Sequence, residues 1–310
     1  MKISAYIPCY NAAEYIEHTI QALLNQTRPP DELLIIDDGS TDRTVEVTSR
    51  YPVRVIRHES NRGLAAGRNT AFANARHELV AAVDADVVVE PQWLESLAEA
   101  FSDDAVAGSG GRLLEHYRDS PADCWRAMEM SQDLGEERIE IVSPMPKRLG
   151  GFGTILRKDA VERVGGYDLR FRTNFEDVDL GTRLLRAGYK LVFDPRAVAR
   201  HMRRDTVSSV VRTAWRWDFY THYYSGGYNN IALKLLLNFR HARVLVWRHL
   251  KAGKPELLQV DGRLPWFLSY RDLRYRFSRE RLPAVEADDR AMDLYFPWPL
   301  RLLRRRSHSS

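Results

Sequence analysis

The chain has 310 residues, 44% of them apolar and 28% charged, the balance of a soluble globule that buries a full core. Two cysteines, Cys9 and Cys124, exclude a disulfide framework and a cysteine zinc site, and no apolar run of about 18 residues is present to span a bilayer. The net charge of +4 hides an asymmetry. Residues 200–310 carry 22 Lys and Arg against 10 Asp and Glu, a net of +12, and residues 1–199 carry 24 against 32, a net of −8. Such a split suggests an acidic unit and a basic unit with separate duties. With no signal-peptide pattern after Lys2 and no cysteine framework, a cytoplasmic setting is expected.

In chain order, Ile3 to Ile7 reads as a strand ending at Pro8-Cys9-Tyr10-Asn11, and Asn11 to Asn25 as a helix with Ile16, Ile20, Leu23 and Leu24 on one face. Glu32 to Ile36 is a second strand, stopping at Asp37-Asp38-Gly39-Ser40-Thr41-Asp42; a helix runs to about Arg50, and Val53 to Arg57 is a third strand. Asn61 to Asn69 opens a helix through about Ala75. The apolar stretch Leu79 to Val89 follows, interrupted by Asp84-Ala85-Asp86. Strand–helix repetition over the first hundred residues predicts an α/β fold with a mostly parallel, Rossmann-like sheet flanked by helices. Ligands of such sheets bind beyond the carboxyl ends of the strands, where Tyr10, Asp38 and the Asp84/Asp86 pair all fall. No Gly-x-Gly-x-x-Gly follows the first strand and no Gly-Lys-Ser/Thr loop occurs, which disfavours dinucleotide and P-loop sites. Gly108-Ser109-Gly110-Gly111 reads as a loop or bulge.

Two carboxylates set in an apolar strand repel each other and lose hydration. A hard divalent cation held through oxygen would offset both costs, whereas an exposed pair would be only a solvated turn. Ser40 to Asp42 suit a helix cap equally well, but Asp38 is placed to accept a hydrogen bond from a base ring N–H. Arg68, near a helix start, could pair with diphosphate oxygens or form a salt bridge to the aspartates. Gly150-Gly151 ahead of a strand permits close approach of a ligand or is a plain flexible loop. Asn174 to Arg186 reads as a loop entering an amphipathic helix. There Asp177 beside Glu176 is a candidate for proton abstraction, because two close acids raise one pKa; the bland reading makes Asp179 and Glu176 first-turn acids favoured by the helix dipole. His201 closes a strand–Pro195–strand unit.

Together these clusters resemble a family-2 glycosyltransferase with the GT-A fold. The likeness covers about residues 1–202 and rests on Pro8-x-Tyr10-Asn11, Asp37-Asp38-Gly39-Ser40-x-Asp42, Asn61-x-Gly63-x-Ala65-x-Gly67-Arg68-Asn69, Asp84-x-Asp86, Gly150-Gly151, Glu176-Asp177 and His201. Gly67 departs mildly from the Ala or Ser usual before the Arg-Asn pair. The resemblance implies transfer of a sugar, with inversion, from a nucleotide-diphosphate donor, most commonly a UDP-sugar, to a saccharide or lipid-linked acceptor in surface-polymer or glycolipid synthesis. Under it, Pro8 and Tyr10 line the base, Asp38 bonds it, and Arg68 sits near base or phosphates. Asp84 faces the ribose or donor sugar. Asp86 and His201 hold Mn²⁺ or Mg²⁺. Asp177 is the general base, with Glu176, Gly150 and Gly151 at the acceptor.

Past residue 204 the pattern changes, so a catalytic domain over 1–204 and a basic, aromatic helical extension over 205–310 are expected. Thr206 to Tyr224 reads as a helix with Trp215, Trp217, Phe219, Tyr220, Tyr223 and Tyr224; Gly226-Gly227 breaks it, and Asn229 to Lys251 is a second helix mixing Leu, Phe and Trp with Arg and Lys. That mixture fits a helix lying on an anionic membrane or, alternatively, a lid packed on the catalytic unit. Beyond about Pro255 the chain reads as irregular, interrupted by Pro265, Pro283, Pro297 and Pro299, with a basic end at Arg301 to Arg306. Nucleic acid is disfavoured as a partner, since no motif accompanies the charge. A nucleotidyltransferase would ordinarily show a basic glycine-rich loop, and residues 8–14 contain no Gly, Lys or Arg. A non-catalytic scaffold on the same fold is the other alternative.

Overall fold

The structure, a computed structural model, describes residues 1–142, 149–172, 174–224 (backbone only for 220–224) and 230–277. The Gly226-Gly227 break, Pro283, Pro297, Pro299 and the Arg301 to Arg306 run lie outside the described residues, as do the side chains of Tyr220, Tyr223 and Tyr224.

The elements run β1 (Ile3–Cys9), α1 (Ile16–Leu24), β2 (Glu32–Asp37), α2 (Thr44–Thr48), β3 (Arg54–Arg57), α3 (Leu64–Asn74), β4 (Leu79–Val83), β5 (Val87–Val89), α4 (Trp93–Ala98), β6 (Val106–Glu115), α5 (Pro121–Glu129), β7 (Ile139–Ile141), β8 (Gly153–Arg157), α6 (Lys158–Arg163), α7 (Glu176–Arg186) and β9 (Lys190–His201). Four helices follow: α8 (Val207–Tyr224), α9 (Ile231–Lys251), α10 (Leu258–Asp261) and α11 (Leu264–Phe277). The strands form one sheet in the order β3-β2-β1-β4-β8-β6-β9-β5, with β7 on the far end of β9. The first four are mutually parallel, as the strand–helix repetition requires. The rest of the sheet is mixed: β8 runs antiparallel between β4 and β6, and β9 runs parallel to β6.

Every residue of β1 and β4 is buried, because helices cover both faces. Alternation sorts the side chains into two layers. Ile3, Ala5, Ile7, Leu79, Ala81 and Val83 pack towards α1 and α4, whereas Tyr6, Val80 and Ala82 pack towards α3, α6 and α7. Gly108 to Gly111 lies inside β6, in a strand that shifts register on both sides of the run. The glycines allow close packing: a Cβ on Gly111 would stand 2.0 Å from the Ala197 carbonyl oxygen.

The C-terminal helices share a core with α5. Trp215, Phe219, Leu245, Val260, Leu264 and Phe267 meet Ala122, Trp125 and Met130. Two buried aspartates tie them. Asp261 accepts from Trp125 Nε1 at 2.8 Å and faces His249 Nδ1 at 2.7 Å, while Asp272 accepts from Asn238 Nδ2 at 2.8 Å and from Trp215 Nε1 at 3.2 Å. The inner faces of these helices are therefore packed against α5. As far as Phe277, the lesser regularity expected after about Pro255 is corrected by α10 and α11. Pro265 falls in the first turn of α11, where a missing N–H costs no helical bond, so a residue that usually interrupts a helix here begins one.

Replacing Gly111 by Ala should force β6 and β9 apart and cost about 2–3 kcal/mol in urea unfolding. Gly181→Ala inside α7, where the nearest neighbour, a Leu191 methyl, is 3.6 Å away, should leave stability unchanged or slightly raised. Equal effects would show that the β6–β9 approach is looser than described.

Candidate active site

The site grows out of strand register. At the end of β4 the chain turns, Val87 N–H donating to the Asp84 carbonyl at 3.0 Å, and β5 pairs antiparallel with the last residues of β9, Val87 opposite His201. On its other edge β9 pairs with β6, Glu115 opposite His201. The imidazole is thereby set between two carboxylates: Nε2 lies 3.0 Å from Asp86 Oδ2 and Nδ1 lies 2.9 Å from Glu115 Oε2. Arg126 of α5 extends the chain of charges, donating Nε to Glu115 at 2.9 Å and Nη1 to Asp205 at 3.2 Å. Burial works against an imidazolium at His201, but Asp86 and Glu115 outweigh it and lift the pKa to about 9. Burial likewise opposes the charged form of Asp86 and Glu115, and the neighbouring cations, His201 above all, hold both below the usual carboxylate range.

A second cluster centres on Arg68, which is 1% exposed on α3. Its guanidinium donates to Asp84 Oδ1 at 3.0 Å and to the Tyr6 hydroxyl at 3.3 Å, and its Nε is 3.3 Å from Glu176 Oε1. Between the two arrangements open for Arg68, the structure holds the salt bridge; a contact with donor phosphates would require Arg68 to leave it. Gly151 passes directly over this group, where a Cβ would come within 2.8 Å of Arg68 Nη2, and its N–H donates to Asp177 Oδ2 at 3.0 Å. At Gly150 a Cβ would collide with the Phe152 ring at 2.1 Å. Both glycines thus answer to packing, whatever else borders them. Gly67 has only ordinary contacts at 3.8 Å and beyond, so its departure from Ala has no steric cause.

Asp177 and Glu176 open α7, where the helix dipole favours anions. The preceding Phe175 adopts φ 76°, a costly backbone for a bulky residue that sets how the two acids enter the helix. Asp177 is half-buried. Glu176 is turned inward onto Arg68, with Oε2 buried and unbonded. Burial raises its pKa, with Asp177 adding to the effect. Asp84 is pushed up to about 6 by burial, only partly offset by Arg68, and it lies within the electrostatic reach of Asp86, His201 and Asp177. Asp84, Asp86, Asp177 and His201, spread over 118 positions of sequence, thus form one electrostatic neighbourhood.

Three loops at the carboxyl ends of β1, β2 and β3 are laced together beside it. Asn11 N–H donates to Ser40 Oγ at 2.9 Å, Thr41 N–H to Asn11 Oδ1 at 2.8 Å, and Ala12 N–H to Thr44 Oγ1 at 2.8 Å. Asp38 accepts from the N–H groups of Arg62 and Gly63, both at 2.8 Å, and faces His58 Nδ1 at 2.7 Å. In this arrangement its carboxylate shapes the turn into α3. Pro8 is buried at the end of β1 and Tyr10 half-buried just beyond it.

Sequence reasoning missed Glu115, Arg126 and Tyr6. Glu115 carries the same signal as Asp84, an acid ending an apolar strand, but the upstream glycines read as a loop or bulge, and the strand that holds them, with its shifts of register, is not visible in the sequence. Among the described residues no group of three or more His, Cys, Asp or Glu is arranged to hold a metal by itself. Once the Nε2 proton of His201 is displaced, Asp86 and His201 would supply one carboxylate oxygen and one imidazole nitrogen, a donor pair that suits Mn²⁺ when the remaining positions come from phosphate and water. Because the folded pKa of His201 is raised, its contribution to stability is full below about pH 6.5 and disappears as pH rises through about 9. In a chelating buffer, wild type should therefore lose roughly 3 kcal/mol between pH 6.5 and 10 relative to His201→Gln. Parallel pH profiles of the two proteins in urea unfolding would contradict the ion-pair assignment.

The family model described as glycosyl transferase family 2 matches residues 4–165. The chain is 30% identical over 211 residues to a pre-mycofactocin glycosyltransferase of Mycobacterium tuberculosis (strain CDC 1551 / Oshkosh), a match covering 65% of this chain and 43% of that protein. It is 24% identical over 292 residues to a poly-β-1,6-N-acetyl-D-glucosamine synthase of Staphylococcus epidermidis, covering 89% of this chain and 69% of the synthase. Its fold matches, at a TM-score of 0.53 and 20% identity, the mannosyltransferase PcManGT from Pyrobaculum calidifontis in complex with GDP-Man and Mn²⁺, over 97% of this chain and 82% of that one. The fold is that of the GT-A transferases, and the chain belongs to glycosyl transferase family 2.

Proposed function

We propose that the protein transfers a sugar, with inversion at the anomeric carbon, from a nucleotide-diphosphate sugar to an acceptor hydroxyl. The convergence of Asp84, Asp86, His201 and Asp177 beyond the carboxyl ends of β4 and β9 carries this reading. The nucleotide would lie across the laced loops, with Pro8 and Tyr10 against the base and Asp38 holding the turn, and offering a remaining lone pair to a base N–H. Asp84 would meet the ribose or donor sugar from its pairing with Arg68. Asp86 and His201 would hold Mn²⁺ or Mg²⁺, which neutralises the charge that grows on the leaving diphosphate.

Asp177 would take the proton of the attacking hydroxyl. Its Oδ2 is oriented by the Gly151 N–H at the start of α7. Attack from the face opposite the leaving group needs no covalent enzyme intermediate. Glu176, neutralised or paired on Arg68, would stiffen the loop that carries Asp177, and Gly150 and Gly151 would border the acceptor. A saccharide or lipid-linked acceptor in surface-polysaccharide synthesis accords with the polymer made by the S. epidermidis synthase. UDP remains the base expected from the family resemblance, although PcManGT holds GDP-Man. Residues 1–204 would carry the chemistry, on the cytoplasmic side where nucleotide sugars are made, and residues 205–310 would brace α5 and its Arg126.

Asp177→Asn should lower transfer by about 10²–10⁴-fold while donor binding, followed by calorimetry, changes by less than about threefold. Near-normal turnover would overturn the base assignment. Hydrolysis and transfer both absent from wild type, with donor still bound, would favour a non-catalytic scaffold.

A further inference from the structure

Helix α9 contains no Asp or Glu in 21 residues. Its inner face, Lys234, Asn238, Ala242, Leu245 and His249, is buried against α10 and α11, and Lys234 Nζ reaches Asp218 of α8 at 2.6 Å. The opposite face carries large apolar side chains in the open: Leu236 at 65% exposure, Trp247 at 60% and Leu250 at 51%. Arg240 and Arg243 lie on the same stripe, three or four residues from these, and neither has an ion-pair partner among the described residues. Lys251 Nζ rests 3.7 Å from the Trp247 ring centre.

The patch continues onto α11. Trp266, 65% exposed, meets Phe239 edge-on at 5.1 Å, and Tyr270 and Phe277 follow Trp266 along the outward side. Single exposed apolar residues are ordinary, but a contiguous face of this size across two touching helices is not. Its composition is specific. Trp and Tyr favour the headgroup level of a bilayer, aliphatic residues favour the acyl boundary, and unpaired arginines favour anionic lipid. No helix of the described residues is long and apolar enough to cross a membrane, so the chemistry points to a helix lying in the surface.

We infer that the outer face of α9, with the exposed edge of α11, docks on an anionic lipid bilayer with the α9 axis in the plane of the headgroups. The inner face packs as a lid and the outer face binds lipid, so the two readings of this extension describe opposite sides of one helix. The inference does not depend on the transfer reaction, and it would bring a lipid-linked acceptor and the catalytic unit to the same surface.

The test is flotation of the full chain with vesicles of phosphatidylcholine alone and of phosphatidylcholine mixed with phosphatidylglycerol. Binding to the anionic vesicles, weakened by salt, is expected. The exposed double variants Arg240→Gln/Arg243→Gln and Trp247→Ser/Trp266→Ser should each reduce it roughly ten- to thirtyfold, with unchanged thermal unfolding. Absence of wild-type binding would overturn the proposal. So would full binding by both variants, which would assign the affinity to the Arg301 to Arg306 run. A concentration-dependent dimer abolished by Trp247→Ser/Trp266→Ser, without vesicle binding, would show that a second copy covers the face.

Discussion

The last residue of β9 is held on both sides at once. Parallel pairing to β6 fixes its distance from Glu115, and antiparallel pairing to β5 fixes its distance from Asp86. Ladder hydrogen bonds set both registers, and a slip of one residue would turn His201 to the opposite face of the sheet. The imidazole between two carboxylates is therefore a property of the sheet rather than of a loop. A site mounted on strands holds its geometry more tightly than one mounted on loops.

Arg68 does for the acids of α7 what His201 does for Asp86. Its burial would be costly without Asp84, Glu176 and the Tyr6 hydroxyl, and their burial would be costly without it. The bare backbone of Gly151 lies against this group and hands an N–H to Asp177. One buried cation thus connects the turn after β4 to the start of α7, and the proposed base is oriented through the glycine that the cation leaves room for. The second chain of charges, from His201 through Glu115 and Arg126 to Asp205, ends where α8 begins. The helical extension is in this way joined to His201 by ion pairs as well as to α5 by the apolar core.

Much of this was legible before any coordinates. The parallel half of the sheet follows from repeated strand–helix alternation, and acids ending an apolar strand mark a ligand edge. What stayed hidden depended on partners distant in sequence. The glycines of β6 look like a loop until the Ala197 carbonyl is known to press on Gly111. Glu115 was lost with that strand. Arg68 had two plausible partners, and only packing could show that it turns inward. Beyond Pro255 proline reads as a breaker, whereas Pro265 at the head of α11 serves as a helix start. On α9 the sequence shows mixed character, but which residues face inward requires α11 beside it.

The proposed transfer needs a cation shared between protein and diphosphate. Pulsed EPR of Mn²⁺ bound to the full chain with UDP, and with GDP in parallel, observes that ion directly. The prediction is coupling to ³¹P of the diphosphate and to one imidazole nitrogen, the nitrogen coupling vanishing in His201→Gln while the phosphorus coupling persists. Phosphorus coupling with no nitrogen in the wild-type protein, or Mn²⁺ that binds no better with either nucleotide than without, would contradict it.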